Sequence, residues 1–166
     1  MRRDTDKPAL AFRTSVRADD RTAVRAIVES TRFFSGPEVD VAEELVAERI
    51  RLGEASGYLF IFAEEAGEAC GYTCYGEIPC TVGSYDLYWI AVRADLRGRG
   101  IGRELMARAE ADMTARGGRL VFVETSGRPE YDPTRRFYEA SGYSLSSRIP
   151  DFYAPGDDKI IYGKRL

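Results

Sequence analysis

The chain has 166 residues, 24 Lys plus Arg against 27 Asp plus Glu, a net charge of −3, three cysteines and no histidine. That length suits one domain spanning residues 1–166, and 44% hydrophobic with 31% charged residues is the composition of a globular protein rather than a disordered or fibrous one. The missing histidine excludes Ser-His-Asp and Cys-His nucleophile systems and every His-based metal site; no metal is expected, and acid-base work falls to carboxylates, tyrosines, cysteines, lysines or water.

Taken in chain order, residues 1–8 read as a polar, loose tail and residues 9–17 as a strand. Asp19 or Asp20 caps a helix with an apolar stripe at Val24, Ile27 and Val28. A break at Ser35-Gly36-Pro37 opens a second helix carrying Val41, Leu45, Val46, Ile50 and Leu52. Residues 58–65 and 69–77 read as a hairpin, and residues 85–92, apolar on both faces, as a strand at the centre of a covered sheet. A helix over residues 100–116 buries Ile101, Leu105, Met106, Ala109 and Met113. A strand over 119–126, a short helix capped by Asp132 with Pro133 following, and strands over 143–149 and 159–165 around a loop at 150–158 complete the chain.

The mild acidity gives no electrostatic footprint for nucleic acid or an anionic membrane. The longest apolar run, residues 58–63, is far too short to cross a bilayer, and Met1-Arg2-Arg3 leads into Asp4 and Asp6 instead of an apolar signal segment, so a cytoplasmic location is expected. Cys70 and Cys74, about 13 Å apart along one strand, cannot pair, and reduced cysteines are expected.

Between the central strand and its helix lies Arg97-Gly98-Arg99-Gly100-Ile101-Gly102-Arg103. Glycines permit a tight turn, and free amides at a helix N-terminus favour an anion, so a phosphate or pyrophosphate is the expected ligand. A Walker loop is excluded because no Gly-Lys-Ser/Thr follows, and a dinucleotide fingerprint because Arg103 stands where a third glycine is needed.

With Arg97, Gly100 and Gly102 after a strand and opening a helix, and with Phe137-Tyr138 preceding Gly142-Tyr143, the sequence resembles the GNAT superfamily of acyl-CoA-dependent N-acetyltransferases. The resemblance implies a mixed α/β fold: a twisted sheet of about seven strands with four helices, and a coenzyme cleft between two splayed parallel central strands. It implies acetyl-CoA as co-substrate, its pantetheine arm along the backbone of Ile90, Ala91 and Val92 and its pyrophosphate on the amides of Arg97, Gly98, Arg99, Gly100, Ile101, Gly102 and Arg103. Tyr138 matches the family's tyrosine acid, and Glu124 stands where some members keep a glutamate acting through water. Asp86, Tyr88 and Glu77 are reserves for the base, and Glu124 facing solvent or pairing with Arg128 is the competing reading. Where many relatives carry a pantetheine-binding asparagine this chain has Tyr131, and Arg135 is placed to reach a coenzyme phosphate.

The first two helices and the last loop usually shape the acceptor pocket in this fold, which nominates Phe33, Phe34 and the segment Asp151-Phe152-Tyr153; Asp86 and Tyr88 on the neighbouring strand are further acceptor candidates, and Asp151, Asp157 and Asp158 would suit a cationic amine. The expected acceptor is a small-molecule or peptide amine, with no nucleic acid and no membrane partner, and a homodimer is left open. The alternative is a non-catalytic acyl-CoA-binding sensor.

Overall fold

A computed structural model describes residues 9–166, so the tail expected at residues 1–8 lies outside the described residues. The chain runs β1 (Leu10–Arg13), α1 (Asp20–Ser30), α2 (Gly36–Leu52), β2 (Leu59–Glu65), β3 (Glu68–Glu77), β4 (Ser84–Val92), α3 (Ile101–Ala115), β5 (Leu120–Ser126), α4 (Asp132–Ala140), β6 (Ser144–Ala154) and β7 (Asp157–Arg165). All seven strands join one sheet in the order β1-β2-β3-β4-β5-β7-β6. Every neighbouring pair is antiparallel except β4 and β5, which are parallel.

Helices cover both faces. On one, α1 buries Val24, Ile27 and Val28 against Phe60, Phe62, Tyr72 and Cys74; full burial of such side chains stabilises by roughly 1.5–3 kcal/mol each. On the other, Ile101, Leu105, Met106, Ala109 and Met113 of α3 pack with Tyr75, Leu87, Val121 and Val123, and α4 adds Tyr138. The stripe read for α2 is out of phase: Val41, Ile50 and Leu52 are exposed, and the buried positions are Val39, Ala42 and Val46. These recur at i, i+3 and i+7, and the small Ala42 at their centre lets α2 approach its neighbours.

The last two strands also depart from expectation. The segment read as a loop is mostly strand, because β6 extends to Ala154 and a two-residue turn returns the chain into β7. Pro150 is tolerated because β6 is the edge of the sheet and needs no ladder donor there. Pro155-Gly156, with Gly156 at φ +82, supplies the turn. The first strand is shorter than expected, ending at Arg13, whose guanidinium bonds Asp20 of α1 and Glu64 of β2.

Two features of β4 prepare the site. Its ladder to β5 runs only from Ser84↔Leu120 to Leu87↔Val123, after which the two strands part. On its other side Cys74 faces Trp89 while Tyr75 faces Leu87, so Tyr88 is a bulged extra residue. A bulge bends the strand and reverses the alternation beyond it: Leu87 and Ile90 face α3, whereas Trp89 and Ala91 face α1 and α2.

Candidate active site

The split between β4 and β5 ends at the N-terminus of α3. Gly98 and Gly100 adopt φ +75 and +84, a left-handed conformation that a residue with a Cβ takes at a cost. These turns leave the amides of Gly98, Arg99, Gly100, Ile101, Gly102 and Arg103 donating to no other described residue; the first bond of the helix runs from Glu104 N to Gly100 O. Six successive free donors at the positive end of a helix dipole form a cradle for an anion. The interleaved arginines contribute less directly than the sequence suggests. Arg99 Nη2 is 2.5 Å from Glu65 Oε1, and Arg97 lies 5.3 Å above the ring of Phe33, leaving Arg103 exposed on the first turn.

Beyond the split, backbone of Ile90, Ala91 and Val92 pairs with β3 alone, so their edge toward β5 is open. Across it, the hydroxyl of Thr125 is buried with no hydrogen-bond partner. A buried, unpartnered hydroxyl costs about 1–3 kcal/mol, which a ligand in the split recovers. No sequence motif pointed to Thr125; a polar residue in a strand otherwise rich in valine is the signal.

Tyr138 approaches the split from the α3 and α4 side. It is buried among Phe137, Tyr143 and Tyr162, at ring centroid distances of 5.7, 6.0 and 6.1 Å. Burial raises its pKa above the ordinary phenol value, so the proton is firmly held at neutral pH. Tyr143 donates to Met106 Sδ at 3.3 Å, fixing the end of α4 against α3.

The opposite face carries Asp86, whose cross-strand neighbour is Phe122, and Glu124 two residues further along β5. Asp86 is half-buried, and its pKa is raised by loss of solvent and then by Glu124. Glu124 pairs with Lys159 Nζ at 2.6 Å and not with Arg128, which instead pairs with Asp157. Tyr88 stands edge-on to Tyr58 at 5.6 Å; burial and Asp86 push its pKa up to about 12. Tyr153, in the β6–β7 hairpin, is likewise pushed up to about 12, by burial and then Glu124. Phe33 packs at 6.0 Å on Tyr131 while carrying Arg97, and so bridges the flanks of the split.

Other nominated residues are engaged in holding the fold. Phe34 packs on Trp89 at 5.0 Å as part of the α1–α2 core. Arg135 bonds the carbonyls of Ser126 and Arg128 and the carboxylate of Asp132, so its guanidinium ties α4 to the end of β5 instead of reaching for a phosphate. Glu77 accepts from Gly83 N. The acidic residues of the last hairpin are no cation cluster: Asp157 accepts from Ser126 Oγ, Asp158 from Arg148 and Asp151 N, and Asp151 from Gly156 N. Cys70, Cys74 and Cys80 are free thiols. Among the described residues no helix is long and apolar enough to cross a membrane, and no cluster of side chains has the make-up of a metal site.

A parallel pair that parts beside a helix headed by free amides is the arrangement that the resemblance to acyl-CoA-dependent acetyltransferases implies. The model of the acetyltransferase (GNAT) family matches residues 22–143, and the chain belongs to that family. It is 32% identical over 158 residues to an acetyltransferase of Pectobacterium atrosepticum, covering 90% of this chain and 92% of the relative. An acetyltransferase of Sodalis glossinidius is 29% identical over 140 residues, covering 81% and 79%. A crystal structure of a GNAT-family protein from Desulfovibrio desulfuricans superposes with a TM-score of 0.93 at 51% identity, over 95% of this chain and 99% of that one.

Proposed function

We propose that this acetyltransferase moves the acetyl group of acetyl-CoA directly to the primary amine of a small acceptor, with Tyr138 in the acid's position, hydrogen-bonded to the departing sulfur, and Glu124, through water, as base. The unpartnered amides from Gly98 to Arg103 carry the reading: a pyrophosphate seated there directs the rest of the coenzyme into the split. A more distant structural neighbour, an aminoglycoside 6′-N-acetyltransferase with a TM-score of 0.74, is described as complexed with coenzyme A. In the split, the open backbone edge of Ile90 to Val92 and the Thr125 hydroxyl would bind the pantetheine amides.

The acceptor ammonium loses a proton to Glu124 through water, and the neutral amine attacks the thioester carbonyl from the Asp86 and Glu124 face. The C–N bond forms, the carbonyl electrons move to oxygen, and backbone N–H groups of the open edge stabilise that oxyanion. The C–S bond then breaks as the carbonyl re-forms, and sulfur departs toward Tyr138 on the other face. A phenol with a raised pKa is a weaker acid than a thiol near 8.5. Its part is therefore to hydrogen-bond the sulfur as charge develops, while the second proton, shed by the nitrogen once the C–N bond has formed, passes through water to the thiolate and leaves coenzyme A as the thiol.

Thiol release from acetyl-CoA, measured with and without amines, tests the reading. Amine-dependent release supports it. Stoichiometric coenzyme binding without release from any amine contradicts it and makes the protein a sensor.

A further inference from the structure

The face of the sheet assigned to the acceptor presents both signs of charge in a single ion pair. Lys159 of β7, its side chain 14% exposed, lies over β6, with its ammonium 4.1 Å from the centroid of the Phe152 ring and 2.6 Å from Glu124 Oε2. Glu124 is 47% exposed and free to turn toward solvent. Asp86, half-buried, shares the face and feels both charges.

This arrangement treats classes of amine unequally. A simple amine, or a polycation, that approaches Glu124 meets the like charge of Lys159 beside it, and if it takes Oε2 it leaves that ammonium beside Phe152 without its carboxylate. Leaving a partly buried charge unpaired is costly. An acceptor carrying a carboxylate a few bonds from its amine exchanges one ion pair for two: its carboxylate meets Lys159, and its ammonium meets Glu124 and Asp86. No charge is stranded, and each contact is a charge-assisted hydrogen bond. The edge-on rings of Tyr58 and Tyr88 offer an aromatic wall on the Asp86 side of the face.

We propose that the acceptor is a zwitterion, an α-amino acid or close analogue with an apolar body, and that Lys159 is the specificity-determining residue that binds its carboxylate. The proposal rests on the acetyl-transfer reading above and narrows it. It separates this site from one built for polyamines or aminoglycosides, which would meet Lys159 with like charge.

The test compares phenylalanine, leucine and methionine with their carboxamides, their decarboxylated amines and spermidine, by thiol release from acetyl-CoA, with rates expressed per free-base amine. The wild-type kcat/KM is expected to favour at least one amino acid over its carboxamide and its decarboxylated amine by about tenfold or more, since a site built to bind a group discriminates against analogues lacking it. Lys159→Met should bring that ratio close to one, and Lys159→Arg should preserve most of it. Equal or better turnover of the uncharged analogues, or a preference for spermidine, overturns the proposal while leaving acetyl transfer standing. An unchanged ratio in folded Lys159→Met overturns the role of Lys159. No thiol release from any amine, with acetyl-CoA bound, overturns this proposal together with the transfer reading.

Discussion

Gly102→Ala separates a glycine required by a ligand from one required only by a turn. Gly102 is the second residue of α3, where alanine is the better helix former by up to about 0.5–1 kcal/mol. A Cβ at Gly102 meets Phe137 Cε2 and Cζ at 3.6 Å and Val92 Cγ2 at 3.8 Å, ordinary contact distances that require no shift of the fold. Those neighbours belong to α4 and the end of β4 and pack against the core beneath α3, so the added methyl fills core-side space and leaves every donor of the cradle in place. For a chain of this size the gain in stability should raise Tm by about 1–3 °C. The Kd for coenzyme A should stay within about threefold of wild type, because residue 102 keeps its N–H; losing one hydrogen bond to a charged phosphate, about 1.5–3 kcal/mol, would raise it roughly tenfold to a hundredfold. Thermal denaturation and titration calorimetry read the two effects separately. A variant that is more stable but binds coenzyme A tenfold or more weakly refutes this geometry of the cradle; a lower Tm refutes the packing argument.

Tyr138→Phe should lower kcat by about 10²-fold while leaving the Kd for coenzyme A within about threefold, by steady-state kinetics and calorimetry; near wild-type turnover removes the phenol from the reaction. Glu124→Gln should abolish the alkaline-rising limb of the kcat/KM profile, and an unchanged limb would give the proton to Asp86 or to bulk water. Asp86 has its pKa raised by folding, so its contribution to stability is complete below the unfolded value of roughly 3.9 and is lost as pH rises through the folded one. Asp86→Asn should therefore raise Tm at pH 7, with the advantage fading as pH falls below about 4; identical melting curves across that range would contradict the burial argument. Arg135→Ala should destabilise the fold by about 1–3 kcal/mol through loss of two carbonyl bonds, read as a lower Tm, whereas a selective loss of coenzyme affinity at unchanged Tm would return Arg135 to the phosphate.

The parts of the site legible in the sequence are those built from contiguous residues. The glycine loop identifies an anion cradle because its chemistry resides in the backbone of seven consecutive residues, and the pairing of Phe137-Tyr138 with Gly142-Tyr143 locates the phenol because both sit on one short helix and its exit. Contacts across the sheet were not legible. Lys159 meets Glu124 only because β7 inserts between β5 and β6, an order that no local pattern encodes. The same insertion makes β6 an edge, where Pro150 can sit within a strand that proline otherwise argues against. Arg135 and Arg99 looked like phosphate ligands by composition, but carbonyls at the end of β5 and the Glu65 carboxylate claim them. The bulge at Tyr88 explains why both faces of β4 read as apolar: the extra residue turns its second half over.

The central claim is that acetyl-CoA lies in the split of β4 and β5 with its pyrophosphate on the amides that head α3. A crystal structure of the acetyl-CoA complex tests it most directly. The account predicts pyrophosphate oxygens within about 2.7–3.2 Å of amides between Gly98 and Arg103, and the thioester between the Tyr138 hydroxyl and the Glu124 face. Coenzyme bound outside the split, or seated with those amides unengaged, would contradict it.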